Sequence, residues 1–595
     1  MTACRGGTLR SSGLFGQHIQ SLLSWRLRMS GQEGDAQLAY AIAHLEAPPD
    51  PPEWWRGAVF YEIYIRSFND ASGDGLGDIN GITEKLDYLA GLGVDGIWLA
   101  PPYASPQDDN GYDISDFKDI DPIFGTVDDL KILIDKCHDA GLKILLDLVM
   151  GHSSDQHPWF IESASSRDND KADWYVWADP APDGGPPNNW LSSFGGRAWR
   201  WEPRRAQYCY RPFLRSQPAL NLANQEVLAA MLDVMRFWLD LGVDGFRVDA
   251  VQCLSFDAAL RSNPAAIAGE NPSLGGGPNN PFGGQMHLFD RDVPRALPLL
   301  HHFRRVADEY EPERVLIGEL ADVDSSRLAP KYTVGDDRLH AVYDFDLINR
   351  ADTVREWRKL IDIRSRYLVP GTSLNVFTNH DSPRAVSNLM PSACAEGRSQ
   401  EAAKLLLFLQ ATLAGGMILF QGDELGLEQP DLSAGEITDP WARALWPDFE
   451  GRDGVRCPLP WKSETLNAGF SDADTPWKRA RDSQRESAVD VQEDDPDSVL
   501  HFTRELLAWR RSVPMLRIAA ERVLPDMPDG VIGVCREHAG EALFVYLNFG
   551  LKQVSLPLSE PNLQAAFSCG HSEVEGDSLT LGSLSGVVLR KVAQG

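Results

Sequence analysis

Eight short apolar runs punctuate this chain near residues 58–65, 95–100, 143–149, 243–249, 314–319, 340–345, 372–378 and 416–420, and most of the intervals read as amphipathic helices. A short apolar run bounded by turn residues is a strand buried on both faces, and strands that alternate with helices imply a parallel sheet. Eight such units suffice to close an α/β (β/α)8 TIM barrel, whose strand C-termini converge on one rim. Three of the runs end in acids. Gly245 to Asp249 (GFRVD) ends at Asp249, Val315 to Glu319 (VLIGE) at Glu319, and Leu374 to Asp381 at Asn379-His380-Asp381. An acid at a strand tip often does no more than cap the next helix. That suffices for one tip, but not for three flanked by Arg247 and His380.

The regular spacing breaks between the third and fourth strands. Residues 151–221 are dense in Trp and Tyr among Pro, Gly and Asn, and read as an inserted domain that overhangs the barrel mouth. Ser262 to Arg291 is rich in Gly, Pro and Asn and reads as a mobile loop on the same face. The barrel is assigned to residues 51–150 and 222–515. Period-two alternation beyond, in Gly530–Glu537, Glu541–Asn548 and Ser578–Lys591, predicts a C-terminal antiparallel β-sandwich over 516–595. Upstream, Glu46 to Glu53 (EAPPDPPE) is a stiff linker. Residues 1–50 are then an extension expected to be disordered, with Met29 as an alternative start.

Charge narrows the partners. With 56 basic and 86 acidic residues the net charge is −30, which disfavours nucleic acid and anionic membranes, both of which select clustered Lys and Arg. A neutral small molecule is indifferent to it. The eight cysteines show neither a C-x-x-C pair nor a zinc spacing, as expected of reduced thiols in a cytoplasmic enzyme. No apolar run approaches the ~20 residues that span a bilayer.

Three acids with an Arg and a His suit glycoside cleavage, where one carboxylate meets an oxocarbenium-like carbon while a protonated carboxyl group feeds the leaving oxygen. Asp249 is the candidate nucleophile, because Arg247 on the same strand face is expected to hold it ionised and lower its pKa. Glu319, with no cation adjacent in sequence, is the candidate acid/base. Asp381 with His380 is expected to grip ring hydroxyls as the sugar flattens. A separate loop, Asp70 to Asp78 (DASGDGLGD), places oxygen-bearing groups at every second residue between glycines, which suits a hard cation. It is not an EF-hand, since the twelfth position is Gly81, and a glycine-rich turn without metal is the alternative.

With these motifs in their order, the chain from about Trp54 onward resembles the α-amylase superfamily, glycoside hydrolase family 13, and within it the α-glucosidases and oligo-1,6-glucosidases. The resemblance implies Asp249 as nucleophile, Glu319 as acid/base and Asp381 as transition-state stabiliser. It implies His152, closing Asp147 to His152 (DLVMGH), as a contact to the bound glucosyl ring. It also implies Tyr112 as a stacking residue and Asp113 as the acid that pairs with an Arg from a late loop behind one glucose. Arg452 is the first choice for that partner and Arg456 the second. For the loop, the resemblance implies Ca2+ or Mg2+ held by Asp70, Asp74, Asp78 and the Leu76 carbonyl, with Ser72 in place of a usual Asn. No organic cofactor is required. Departures from the family pattern include Gly151 for a calcium-ligating Asn, Ala219 for an Asp, and Glu62 and Ile65 for a Gln and a Pro.

The expected activity is that of a retaining, exo-acting α-glucosidase on maltose, short malto-oligosaccharides or other α-glucosides, with transglucosylation as a side reaction. The resemblance also implies a linkage preference, since in this group a bulkier Val after the nucleophile goes with α-1,6 activity and Ala or Thr with α-1,4, so that Ala250 favours α-1,4, a discrimination worth only ~1–3 kcal/mol. The alternatives are an oligo-1,6-glucosidase, and a trehalose synthase or sucrose-converting glucosyltransferase on the same scaffold. A non-catalytic amylase-like binding subunit is more distant, since all three acids are present. The oligomeric state, monomer or homodimer, is left open.

Overall fold

The structure, a computed structural model, describes residues 52–266, 280–291, 296–322, 325–349, 353–558 and 560–591. The 1–50 extension lies outside the described residues, as does part of the 262–291 loop. The eight apolar runs form strands β1 (Val59–Ile63), β2 (Gly96–Leu99), β3 (Lys143–Leu148), β4 (Gly245–Val248), β5 (Val315–Leu320), β6 (Ala341–Asp344), β7 (Ser373–Asn375) and β8 (Gly416–Phe420). They pair in parallel in chain order, and β8 closes on β1 through Val59↔Met417 to Glu62↔Phe420.

The strands are apolar throughout because both faces are covered. One face packs against side chains inside the barrel, among them Phe60, Trp98, Leu145, Ile317 and Tyr343. The other packs against the helices. The helix Gln225–Leu241 shows how the sequence achieves this: Asn224 caps its start, Gly242 ends it in the left-handed region, and Val227, Met231, Val234 and Trp238 recur on one buried face. It delivers the chain to β4, where Gly245 has φ 150° and a Cβ would lie 2.0 Å from the Val315 carbonyl oxygen. Only glycine lets β4 and β5 approach so closely, and those two strands carry Arg247 and Glu319.

Between β3 and β4 the insert folds around a three-stranded sheet of Trp177–Ala178, Gln207–Tyr210 and Trp199–Glu202. Its tryptophans chiefly pack that unit: Trp190 and Trp199 stack at 5.8 Å within a cluster that includes Tyr210. Beyond the helix Val499–Arg511, a five-stranded antiparallel sheet faces a three-stranded one across Phe544, Tyr546, Leu556, Leu579 and Leu589. The hairpin Val531–His538 with Glu541–Asn548 turns at Ala539 and Gly540, both at positive φ. All seven cysteines among the described residues are free.

Candidate active site

The strand tips meet at one rim. Arg247 sits inside it with its guanidinium shared among three acids: Nη1 donates to Asp147 Oδ1 and Asp249 Oδ1, both at 2.7 Å, and Nη2 reaches Glu319 Oε2 at 2.6 Å. Tyr343 on β6 accepts from Nε and Nη2. Asp249 continues the β4 ladder by one residue, its N–H donating to the Leu148 carbonyl. The next residue, Ala250, turns sharply at φ 39° and its N–H donates to Glu319 Oε2 at 2.9 Å. Glu319 therefore does have a cation beside it, supplied by the neighbouring strand rather than by the sequence.

Burial decides the charge state of this trio. Loss of water pushes Glu319 up to about 7, with Arg247 opposing and the Asp249 and Asp381 charges adding to the rise. Asp249 also rises, to about 6, because desolvation exceeds the pull of Arg247. The expectation that Arg247 lowers the Asp249 pKa is thus corrected: the cation limits the rise without reversing it. Asp249 stays the more acidic of the two.

Asp381 behaves oppositely. It accepts from Arg456 Nη2 at 2.5 Å and from Arg452 Nη1 at 3.3 Å, with His380 Nε2 at 3.4 Å. Burial opposes its charge, but His380 and the two arginines outweigh it and hold the carboxyl group well below the usual range. His380 is itself pushed down to about 3 by burial. Its ring lies parallel to that of Tyr112, with centroids 5.4 Å apart. Tyr112 donates to Asp147 Oδ2 at 2.9 Å. His152 reaches the Tyr112 carbonyl at 3.0 Å and packs on Phe213, and burial lowers its pKa to about 4, leaving a neutral ring.

The acid that pairs with Arg452 is Asp109, not Asp113. Arg452 Nη2 lies 2.7 Å from Asp109 Oδ1, and Gln217 from the insert donates to Asp109 Oδ2. Asp113 is fully buried and caps its own turn, accepting from the backbone of Asp108 and Asp109 and from Ser105 Oγ. Three residues lie between them, and the turn aims Asp109 into the cavity and Asp113 behind it. Asp439 adds a second acid on Arg452 Nη2 at 2.8 Å. Asp109, Asp147, Tyr343 and Asp439 escaped the sequence reading of roles. Only Asp147 stood in a quoted motif with a signal that could have been followed.

The Asp70–Asp78 loop is a hydrogen-bonded turn. Asp70 accepts from the amides of Gly73 and Gly75 and from Ser471, and Asp78 from those of Ala71, Ser72 and Gly81. Asp74 accepts from the Leu76 N–H. Among the described residues no group of three His, Cys, Asp or Glu gathers as a metal cluster. The carboxylates of Asp70, Asp74 and Asp78 keep further lone pairs beyond these bonds, and no step of the chemistry depends on a cation there.

Asp249, Glu319, Asp381, Asp109, Tyr112, His152, Ala250 and Arg452 line a common cavity of about 1240 Å³, counted with its mouth. Its outer wall is aromatic: Phe194, Phe213 and Tyr210 come from the insert, with Phe282, Phe345, Trp441 and Phe449 from barrel loops. Phe194 stacks on Trp441 at 4.6 Å with Arg452 against both rings.

An eight-stranded parallel barrel whose rim gathers carboxyl groups around a concave pocket defines, as a class, a barrel glycosidase. The catalytic-domain profile of the α-amylase family matches residues 62–519, and the chain belongs to that family, glycoside hydrolase family 13. A Rhizobium meliloti (strain 1021) protein named "Probable alpha-glucosidase" is 45% identical over 501 residues, 83% of this chain and 89% of that protein. An oligo-1,6-glucosidase of Heyndrickxia coagulans is 35% identical, over 86% and 94% of the two chains. Among solved structures, the α-glucosyl transfer enzyme XgtA superposes with TM-score 0.87 at 41% identity, covering 91% of this chain and 99% of its own.

Proposed function

We propose that this protein is a retaining, exo-acting α-glucosidase that releases glucose from the non-reducing end of α-1,4-linked maltose and short malto-oligosaccharides. The observation that carries this reading is the sharing of one guanidinium by Asp249 and Glu319 in a cavity walled by the Asp109–Arg452 pair. Two carboxyl groups on one fork suit the short ~5–5.5 Å spacing at which the second acid attacks carbon directly.

In the first step the Asp249 carboxylate bonds to C1 while Glu319 passes its proton to the leaving oxygen. In the second, Glu319 as carboxylate takes a proton from water, which displaces Asp249. Between them the sugar carries positive charge, and Asp381, held ionised by three cationic or polar neighbours, attracts it and its ring hydroxyls. The Asp109–Arg452 pair supplies hydrogen-bonding groups to the far end of one glucose and leaves no room for a longer chain.

Transfer is the second reading, supported by the aromatic mouth and by the named activity of XgtA. An acceptor hydroxyl lodged there in place of water would yield a new glucoside through the same intermediate. Glucose release from maltose and from isomaltose, with Asp249→Asn alongside, tests the proposal. Maltose cleavage, little isomaltose cleavage and a dead variant are expected. Undiminished variant activity sinks the role of Asp249, and a preference for isomaltose sinks the use made of Ala250.

A further inference from the structure

Glu62, on β1, is a fully buried acid that the reaction scheme leaves unused. Its Oε1 lies 2.5 Å from His380 Nδ1 and 3.3 Å from the His380 amide. Its other oxygen, Oε2, is buried and has no hydrogen-bond partner. The other side of the imidazole faces two residues that line the pocket: Nε2 is 2.8 Å from the Tyr112 hydroxyl and 3.4 Å from Asp381 Oδ1.

Counting protons assigns the donors. A tyrosine hydroxyl has one proton, and Tyr112 gives it to Asp147 Oδ2, since Asp147 is a carboxylate paired with Arg247. His380 Nε2 must then be the donor to Tyr112 Oη. With one proton on Nε2, the contact between Nδ1 and Glu62 Oε1 requires a second, because two bare lone pairs do not approach to 2.5 Å. The unpartnered Oε2 says where that proton rests. A carboxylate oxygen stripped of every donor is far costlier to bury than the carbonyl oxygen of a neutral acid. Glu62 is therefore a carboxylic acid that donates to Nδ1, in keeping with burial, which raises Glu62 well above the usual range and lowers His380.

We propose that Glu62 is a positioning residue for the donor sugar, acting through His380: the proton they share locks the ring with Nε2–H towards Tyr112 and Asp381 and sets an alkaline limit on sugar binding. Removing it leaves two outcomes. Either a bare charge stays on Glu62, or the ring proton moves to Nδ1 and Nε2 stops donating. Both loosen the seat of the glucose.

The surrounding charges fix the sign. Glu62 is faced by Arg247 on β4, Asp147 on β3, Tyr343 on β6 and Asp381 beyond β7. Arg247 favours ionisation of Glu62, whereas the acids oppose it. Around His380, Tyr64 stacks at 6.1 Å, and Arg452 and Arg456 approach from the late loop and disfavour a cationic ring. The pair thus keeps one shared proton at neutral pH and loses it on the alkaline side.

This inference rests on reading the cavity as a glucose pocket, and binding tests it apart from catalysis. Glucose, a neutral ligand, is titrated calorimetrically into the wild type and Glu62→Gln from neutral to alkaline pH, with Tm recorded at each point. For the wild type, Kd is expected to rise about tenfold per pH unit once the shared proton is lost. Glu62→Gln, whose amide donates to Nδ1 without titrating, is expected to show a flat Kd and a KM without the alkaline rise, while the pH profile of kcat keeps the limb due to Glu319. A Glu62→Gln curve with the wild-type rise overturns the proposal. So does a wild type with no rise, and that arm stands even if the variant fails to fold. Glucose binding with the expected pH dependence in a protein that hydrolyses no α-glucoside would leave this inference intact and refute the proposed function instead.

Discussion

Arg247 holds three acids with one side chain, so its removal affects more than one role. Lysine in its place is a point charge that cannot span Asp147, Asp249 and Glu319 at once. Arg247→Lys is expected to lower kcat/KM by ~10²–10³-fold, the size of losing one preorganised donor in a reaction site, measured by initial rates on maltose well below the variant's own Tm. The acids also set the pH profile. In the proposed mechanism Asp249 takes up a proton below about 6 and no longer attacks, and Glu319 above about 7 loses the proton it is to donate. On the proposed mechanism a narrow bell in kcat/KM between those limits is expected, and Glu319→Gln, whose neutral amide never titrates, is expected to lose the alkaline limb from the pH profile of its residual kcat. At this scale the sequence placed three acids at strand tips but not their surroundings. Asp113 adjoins Tyr112 in sequence whereas Asp109 lies three positions before it, and only the turn that buries Asp113 behind Ser105 leaves Asp109 facing Arg452. Likewise, adjacency of Arg247 and Asp249 suggested a lowered pKa, because spacing reveals a charge partner but not the water excluded from both.

The eight strands were legible because each is apolar on both faces and ends at a turn or an acid, so boundaries read from composition fall within a few residues of β1 to β8. The exception is β7, which stops at Asn375 although the apolar run continues to Phe377: the chain there leaves the ladder to present Asn379, His380 and Asp381. In the Asp70–Asp78 loop the alternating oxygens that suggest ligands also accept from the loop's own amides. Close strand approach was not legible at all. Gly245→Ala sets a Cβ against the Val315 carbonyl and is expected to cost more than ~3 kcal/mol, read as a fall in urea midpoint. Activity should fall with it, since any widening separates Arg247 from Glu319.

At the scale of the whole molecule, the barrel supplies the acids and its additions build the walls. The insert is tied to the loop after β4 by Asn188 and Trp190, which donate to the carbonyls of Leu260 and Arg261. Its Gln217 holds Asp109. The C-terminal sheets contact the far side of the barrel, where buried Arg536 donates to the carbonyls of Thr412, Leu516 and Ala519. Arg536→Met strands those acceptors and is expected to lower stability by ~2–4 kcal/mol, with kcat on maltose unchanged below the transition. The central claim, that Asp249 attacks the anomeric carbon, has a direct test. The enzyme is incubated with a 5-fluoro-α-glucosyl fluoride, which slows release of the intermediate, then digested, and the labelled peptide is sequenced by mass spectrometry. The account predicts one fluoroglucosyl group, on Asp249, absent from Asp249→Asn. A label on another residue, or turnover with none trapped on any, would contradict it.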